Sequence, residues 1–261
     1  MAAIVGGSGI RMLWYEKGGS GTPAVLLLHG LGATAGVWLG VQRVLEHRGG
    51  IGRWIAPDLS GHGHSGGQSR YSVGSLATEV AGLIRDEPEV YIVGHSLGVY
   101  VALALASRWF GVEVRGIVGV GPKIAWSEAD IQGARELAAR PVRWYATAEE
   151  AWNRYRRVSG LDVTIAPGEE WLRRGVTQGE QGWRLAQDPR TFEVAGAPFG
   201  RLVGGAQARL VLARGEHDAM VGIGELAEYC QDTHEIAGVG HNAHVEKPAE
   251  IVGLLERVLR G

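Results

Sequence analysis

The stretch Val90–Ala106 constrains this chain more than any other, because it reads as an apolar strand, a tight turn and an apolar helix in immediate succession. The turn carries Gly94, Ser96 and Gly98 at alternate positions. A chain that reverses sharply at Ser96 brings the residues two before and two after it into close contact, and glycine fits there because it has no Cβ. The pattern predicts a strained turn that presents the Ser96 hydroxyl at the N-terminus of a helix.

Short apolar runs recur along the chain in the manner of strands buried on both faces. They occupy 24–28, 53–56, 90–94, 114–120, 208–213 and 233–237, and helical patterns separate most of them. Strands that alternate with helices predict an α/β fold, in which a mostly parallel twisted sheet is covered by helices on both faces. An edge strand is expected at 10–16, and an amphipathic helix at 248–260, with proline in its first turn, closes the chain.

One segment, 123–188, interrupts this alternation. It has no good strand run, but amphipathic helical patterns cover 127–138, 148–157 and 169–187. We interpret it as a helical lid inserted over the sheet and not as a separate domain, so that 1–122 and 189–261 form the core domain.

The composition of the lid segment bears on its substrate. It holds five of the nine tryptophans: Trp126, Trp144, Trp152, Trp171 and Trp183. Such side chains more often form the core of a lid than the wall of a pocket, but two of them facing the site would make an apolar pocket. Counted over 122–189, ten basic residues stand against ten acidic ones, so the composition gives no net charge that selects an ionic substrate.

Polar residues follow the predicted strands where parallel sheets bind their ligands, at the carboxyl ends. His29, Asp58, Ser96, Asp218 and His241 all occupy such positions. A serine hydroxyl is a weak nucleophile near neutral pH and needs a base within hydrogen-bond reach, usually a histidine oriented by a carboxylate. The chain supplies all three groups, in the order Ser96, Asp218, His241.

Over essentially its full length, the chain resembles the α/β-hydrolases. The matching segments are His29-Gly-Leu-Gly, Pro57-Asp-Leu-Ser-Gly-His-Gly-His-Ser, Gly94-His-Ser-Leu-Gly, Gly215-Glu-His-Asp218, Gly240-His-Asn-Ala-His-Val-Glu246 and the C-terminal helix. The resemblance implies the α/β-hydrolase fold with a nucleophile elbow at Ser96. It also implies that His241 is the general base and then the acid, and that Asp218 orients it.

The resemblance further implies an oxyanion hole made of two backbone N–H groups. One belongs to Leu97, directly after the nucleophile, and the other to Leu31, in the loop after the first buried strand. His29 is expected to fix that loop by hydrogen bonds of its ring.

Two assignments have rivals within the sequence. His244, three residues beyond His241, is a second candidate for the base, but in the family the histidine directly after the loop glycine is the catalytic one. Asp58 also ends a strand and could be the acid, although an aspartate there typically caps a turn. We favour His241 and Asp218.

The sequence predicts neither a metal nor a nucleotide cofactor. His62-Gly-His64 resembles one arm of a metallohydrolase site, but Ser65-Gly66 replaces the Asp-His that should follow, and no second histidine pair has suitable spacing. No G-x-G-x-x-G follows the first strand, and there is no P-loop lysine.

Bulk properties exclude several partners. The net charge of -2 gives no reason to expect nucleic acid. The N-terminal residues lack the basic and apolar regions of a signal peptide, and no apolar run approaches the length of a membrane span. With Cys230 as the single cysteine, the expectation is a cytoplasmic protein without internal disulfides.

The sequence therefore predicts a cofactor-independent serine hydrolase acting on a small, apolar, carbonyl-containing substrate. The simplest hypothesis is that the substrate is a carboxylic ester or a lactone, which is cleaved through an acyl-enzyme at Ser96. The alternatives are a carbon–carbon bond hydrolase of a vinylogous diketone and a ligand receptor on a hydrolase scaffold. A serine at the elbow argues against the dehalogenase and epoxide hydrolase branches, which carry aspartate there.

Overall fold

The computed structural model describes residues 13–161 and 170–261. Its strands are β1 (Tyr15–Gly19), β2 (Ala24–Leu28), β3 (Arg53–Pro57), β4 (Val90–His95), β5 (Val114–Val120), β6 (Val176–Gly179), β7 (Gly182–Leu185), β8 (Arg209–Gly215) and β9 (Thr233–Ile236). Its α-helices are α1 (Leu39–Arg48), α2 (Val73–Leu83), α3 (Leu97–Leu105), α4 (Glu128–Ala138), α5 (Ala148–Val158), α6 (Phe199–Gly205), α7 (Ile223–Ala227), α8 (Ala243–Glu246) and α9 (Pro248–Leu259).

Seven strands form one sheet in the order β1-β3-β2-β4-β5-β8-β9. All neighbours are parallel except β1, which runs antiparallel to β3 at the edge. The sheet confirms the predicted α/β-hydrolase fold class. β1 lies later in the chain than the predicted edge strand at 10–16, whose first three residues are outside the described part.

The sheet is buried on both faces, as the unbroken apolar runs predict. Along β2, Leu26 and Leu28 face a cluster formed with α2, α3 and α6, whereas Val25 and Leu27 face a cluster formed with α1 and α9. All five residues of β2 are buried. Burying side chains of this size stabilises the fold by about 1.5–3 kcal/mol each, so the central strands hold a rigid platform for the loops at their carboxyl ends.

The segment between β5 and β8 is helical only in part. α4 and α5 lie close to their predicted places, and Ser127 caps α4 by accepting a hydrogen bond from the Asp130 N–H. The prediction of a helix at 169–187 is wrong for the described residues. Residues 170–175 form a 3-10 turn, and β6 and β7 pair as an antiparallel ribbon. Gly182 at the ribbon's turn has a φ of 115°, which a helix does not admit.

This segment packs directly on the core. Tyr155 of α5 is buried in the same apolar cluster as Trp38. The backbone after β7 pairs with the loop after β3, where the Gly63 N–H donates to the Ala186 carbonyl at 2.7 Å and the Asp188 N–H donates to the Gly61 carbonyl at 2.8 Å. These contacts bring the segment over the carboxyl ends of the strands.

No helix within 13–161 and 170–261 has the length and apolar character that crossing a bilayer requires.

Candidate active site

Ser96 lies at the junction of β4 and α3 with strained backbone angles, φ 49° and ψ −111°. A positive φ is uncommon for a residue with a side chain, and such strain is typically concentrated at functional sites. A Cβ at Gly94 would lie 2.7 Å from the Gly98 carbonyl carbon, and one at Gly98 would lie 2.7 Å from the Leu28 carbonyl carbon. The glycines thus allow β4, α3 and β2 to approach as closely as the turn requires.

Ser96 opens onto a cavity of about 410 Å³, which we call the serine cavity. Its walls are mainly apolar and include Leu31, Leu97, Tyr100, Trp126, Phe192 and Met220. Of the five tryptophans of 123–188, Trp126 is the one that lines this cavity. Its indole N–H donates to the Tyr100 hydroxyl at 3.2 Å, which fixes the ring at the wall.

Asp218 and His241 come together from the loops after β8 and β9. The Nδ1 of His241 lies 2.9 Å from the Oδ2 of Asp218, and His241 also lines the serine cavity. The other oxygen of Asp218 accepts the Met220 N–H at 2.9 Å. A carboxylate oxygen accepts the hydrogen bond, so Nδ1 of His241 carries the proton between the two groups and Nε2 is the nitrogen left with a lone pair.

Arg214 of β8 fastens the loop that carries Asp218. One guanidinium nitrogen donates to the carbonyls of Glu216 at 3.0 Å and Asp218 at 2.8 Å, and the other pairs with Glu235 on β9. On the opposite side, the carboxylate of Glu246 accepts the Gly240 N–H at 3.2 Å, next to His241. Both loops of the pair are therefore held by charged side chains.

His244 lies beneath the site and not in it. It is fully buried, with its ring 4.1 Å from that of His95 and 4.7 Å from that of Trp38. Burial lowers the pKa of His244 to about 3. A histidine that is neutral and enclosed in this way cannot reach a substrate in the serine cavity.

His95 supports His241 from below. Its Nε2–H donates to the His241 carbonyl at 3.0 Å, and the two rings are 4.6 Å apart. Burial, with the neighbouring His244 and His241, lowers the pKa of His95 well below its usual value. The ring is therefore a neutral spacer between the elbow and the His241 loop.

The loop that carries Leu31 is fixed by two buried histidines. Nε2 of His29 accepts the Leu59 N–H at 2.9 Å, and its Nδ1–H donates to the Gly30 carbonyl at 2.8 Å. Nε2 of His62 accepts the Gly32 N–H at 3.1 Å. Since both rings accept a hydrogen bond, both are neutral, and burial lowers their pKa values, that of His62 to about 3. Leu31 lies between the two fixed residues and lines the serine cavity, as Leu97 does.

Asp58 is buried at the base of the same loop. Its carboxylate accepts the Ala35 N–H at 2.7 Å and the His64 N–H at 2.9 Å. Burial alone would raise the pKa of Asp58, but the hydrogen bonds from His64 and Ala35 and the nearby His29 outweigh it and hold the pKa low. Asp58 thus ties two loops together, and it does not line the serine cavity.

The rings of His62 and His64 make contacts with different parts of the protein. Nδ1 of His62 lies 3.1 Å from the Ser60 carbonyl, and the ring of His64 packs on Trp14 at 4.8 Å. Within the described residues, no three His, Cys, Asp or Glu side chains are grouped as metal ligands.

Two site residues escaped the sequence reasoning. In the sequence His62 resembles only one arm of a metal site, a role that the missing Asp-His argues against, and only its hydrogen bond with Gly32, thirty residues away, shows that it fixes the Leu31 loop. Asn242 follows His241 and donates to the carbonyls of Ser159 at 2.9 Å and Gly160 at 3.1 Å. It thereby links the His241 loop to the end of α5, and the motif around His241 gave no signal of this long-range contact.

Comparisons with known proteins show the family and the fold of this chain. The model of the alpha/beta hydrolase family matches residues 25–254. An uncharacterized Mycobacterium tuberculosis protein is 45% identical over 98 residues, which cover 36% of this chain and 28% of that relative. The 2-succinyl-6-hydroxy-2,4-cyclohexadiene-1-carboxylate synthase of Salmonella newport is 28% identical over 94% of this chain and 97% of its own.

Among solved structures, the thioesterase domain from the curacin biosynthetic pathway superposes with a TM-score of 0.78. It is 20% identical and covers 98% of this chain and 99% of that domain. At 20% identity the similarity shows the fold only. The family assignment rests on the match of the family model. The chain belongs to the alpha/beta hydrolase family.

Proposed function

We propose that the protein cleaves a carboxylic ester or lactone with an apolar acyl or alkyl part through a Ser96–His241–Asp218 triad. One observation carries the proposal. His241 is hydrogen-bonded to Asp218 at 2.9 Å, and it lines the same cavity as Ser96, which lies half-buried at its strained turn. The mainly apolar walls of that cavity favour an apolar substrate.

In the proposed acylation step, Oγ of Ser96 attacks the carbonyl carbon while Nε2 of His241 takes the hydroxyl proton. The carbonyl oxygen becomes an oxyanion, which accepts hydrogen bonds from the N–H groups of Leu31 and Leu97. Each such donor typically contributes about 2.7–4 kcal/mol to transition-state stabilisation. His241 then gives its proton to the leaving oxygen as the carbon–oxygen bond breaks.

In deacylation, water takes the place of the alcohol. His241 removes a proton from the water, the resulting hydroxide attacks the acyl carbon, and the proton returns to Oγ of Ser96 as the acid leaves. Asp218 stays ionised throughout and stabilises the imidazolium without taking its proton.

A second candidate function is hydrolysis of a carbon–carbon bond in a vinylogous diketone by the same residues. The chain is similar over nearly its full length to the Salmonella synthase, whose name describes a cyclohexadiene carboxylate and not an ester. This similarity favours the second candidate. The serine cavity alone favours neither reaction over the other.

The test is labelling with a fluorophosphonate combined with turnover of nitrophenyl esters of increasing acyl length. We expect Ser96 to be labelled and esters to be hydrolysed, with both lost in Ser96→Ala. His241→Ala should reduce kcat by several orders of magnitude. His244→Leu, a matched change in the neighbouring buried histidine, should retain most of the activity of the folded protein. Activity that survives in His241→Ala would refute the assignment of the base.

Labelling without ester turnover would favour the second candidate, and vinylogous diketones would then be the substrates to assay. Neither labelling nor turnover would favour a ligand receptor on a hydrolase scaffold. Such a receptor would show an increase in Tm with ligand and no product.

A further inference from the structure

A second cavity, of about 190 Å³, lies beside the serine cavity, between the end of α4 and α5. Three arginines line it: Arg140 and Arg143 from the connection between the helices, and Arg154 from α5. We call it the arginine cavity. It shares Val158, Gln187 and Phe192 with the serine cavity, so the two cavities adjoin at these side chains.

The three arginines are not neutralised by the described protein around them. No carboxylate of 13–161 or 173–261 lies within 4.0 Å of their guanidinium groups, whereas Arg174 pairs with Glu16 and Arg190 with Asp188. Arg143 stacks on the Tyr145 ring, with its guanidinium carbon 5.1 Å from the ring centroid. That stacking orients the cation without cancelling its charge.

No described aspartate or glutamate lines either the serine cavity or the arginine cavity. Arg157, one turn along α5 from Arg154, lines the serine cavity, and its Nε donates only to the Asn153 carbonyl, at 3.1 Å. Positive charge therefore continues from the arginine cavity towards Ser96, although the segment as a whole is balanced in charge.

We propose that the arginine cavity binds an anionic group, a carboxylate or a phosphate, at the end of the substrate remote from the scissile carbonyl. Guanidinium groups bind both anions through planar paired donors. The volume suits one such group with a short alkyl spacer, and the shared wall of Val158 and Phe192 suits an apolar chain between the anion and the carbonyl. This inference rests on the proposed hydrolase function of Ser96.

The anion has two chemical sources, and each has its own assay. If it belongs to the acyl part, monoesters of dicarboxylic acids should be hydrolysed faster than neutral straight-chain esters of equal length. If it belongs to the leaving group, acyl thioesters of coenzyme A should be hydrolysed faster than those of N-acetylcysteamine, which lacks phosphate.

We expect kcat/KM to favour the anionic member of one pair by about 10-fold or more at low ionic strength, and the preference to fall as salt is added. The double variant Arg143→Gln/Arg154→Gln should bring the ratio close to one. Arg135→Gln, an exposed arginine of α4 outside both cavities, is the matched control and should keep the wild-type ratio.

Equal rates for the anionic and neutral members in both pairs would overturn the inference, and so would a preference that persists in the double variant. Turnover of the neutral esters reports separately on the proposed function. If no ester or thioester is hydrolysed, calorimetric binding of glutarate and of inorganic phosphate to Ser96→Ala tests the cavity directly. Binding that the double variant loses supports the inference, and absence of binding to either anion overturns it.

Discussion

Replacing Gly98 with alanine tests whether the close approach of α3 to β2 positions the nucleophile. An alanine Cβ at this site would lie 2.7 Å from the Leu28 carbonyl carbon and 2.9 Å from its Cβ, and closer still to its carbonyl oxygen. These neighbours belong to the backbone and base of a central strand, so they cannot turn aside. The N-terminus of α3 must move away from the sheet, and Ser96 and the Leu97 N–H move with it.

The size of the effect follows from this geometry. Forcing an extra carbon into a packed core typically costs about 1–3 kcal/mol. For a chain of this size, 1 kcal/mol corresponds to about 2–4 °C in Tm, so we expect a decrease of about 2–12 °C. A displacement of about 1 Å at the reacting groups can reduce the rate about 100-fold. We therefore expect a loss of about 100-fold in kcat/KM for the best nitrophenyl ester.

Gly133→Ala is the matched control, because Gly133 also lies inside a helix, α4, but an added Cβ there meets nothing within 4 Å. It should raise stability by about 0.4–1 kcal/mol, as alanine does in a helix, with activity retained. Thermal unfolding and ester hydrolysis measure both variants. If Gly98→Ala keeps wild-type activity and Tm, the close contact is not what positions Ser96, and the reasoning fails.

Four further predictions follow from the site. Asp218→Asn should lower kcat about 10⁴-fold, more than Asp58→Asn does; the opposite order in steady-state kinetics would make Asp58 the acid. Because burial lowers the pKa of His244 to about 3 from 6.5, the unfolded chain binds the proton more readily. Stability is then complete above about pH 6.5 and falls towards pH 3 by up to about 1.4 kcal/mol per unit. Denaturant unfolding should show a shallower pH dependence in His244→Leu. Asn242→Ala should speed hydrogen exchange at the end of α5, and unchanged exchange would show that this contact does not restrain it. We propose that 123–188 is a lid; replacing it with a short linker should leave a core that folds, with a lower Tm and altered ester preference, and a core that cannot fold would make the segment integral to the domain.

The sequence predicted the parallel sheet because its signals are local. Runs such as Ala24–Leu28 are apolar at every position, and this pattern is sufficient to indicate strands buried on both faces. The sharp turn at Ser96 could also be predicted, because Gly94 and Gly98 lie within five residues of each other and the steric need for glycine there is local.

The prediction failed where local propensity competed with pairing. The residues after 169 have a helical apolar pattern, yet β6 and β7 form a ribbon whose turn requires the positive φ of Gly182. The two-strand pairing depends on neighbours such as Tyr145, whose N–H donates to the Trp183 carbonyl at 2.7 Å. A helix pattern read along the chain carries no information about such a partner.

The sequence by itself determined the fold class, the strained serine and the order of the residues proposed as the triad, because spacing along the chain encodes them. Only the tertiary structure decided that His62 holds Gly32, that His244 is enclosed, and that Arg140, Arg143 and Arg154 line one cavity that no described carboxylate lines. The ten basic and ten acidic residues of 122–189 balance in a count, but among the described residues only basic ones line this cavity. Electrostatic interaction depends on distance through the folded protein and not on composition, so the charge of this cavity could not be read from the chain.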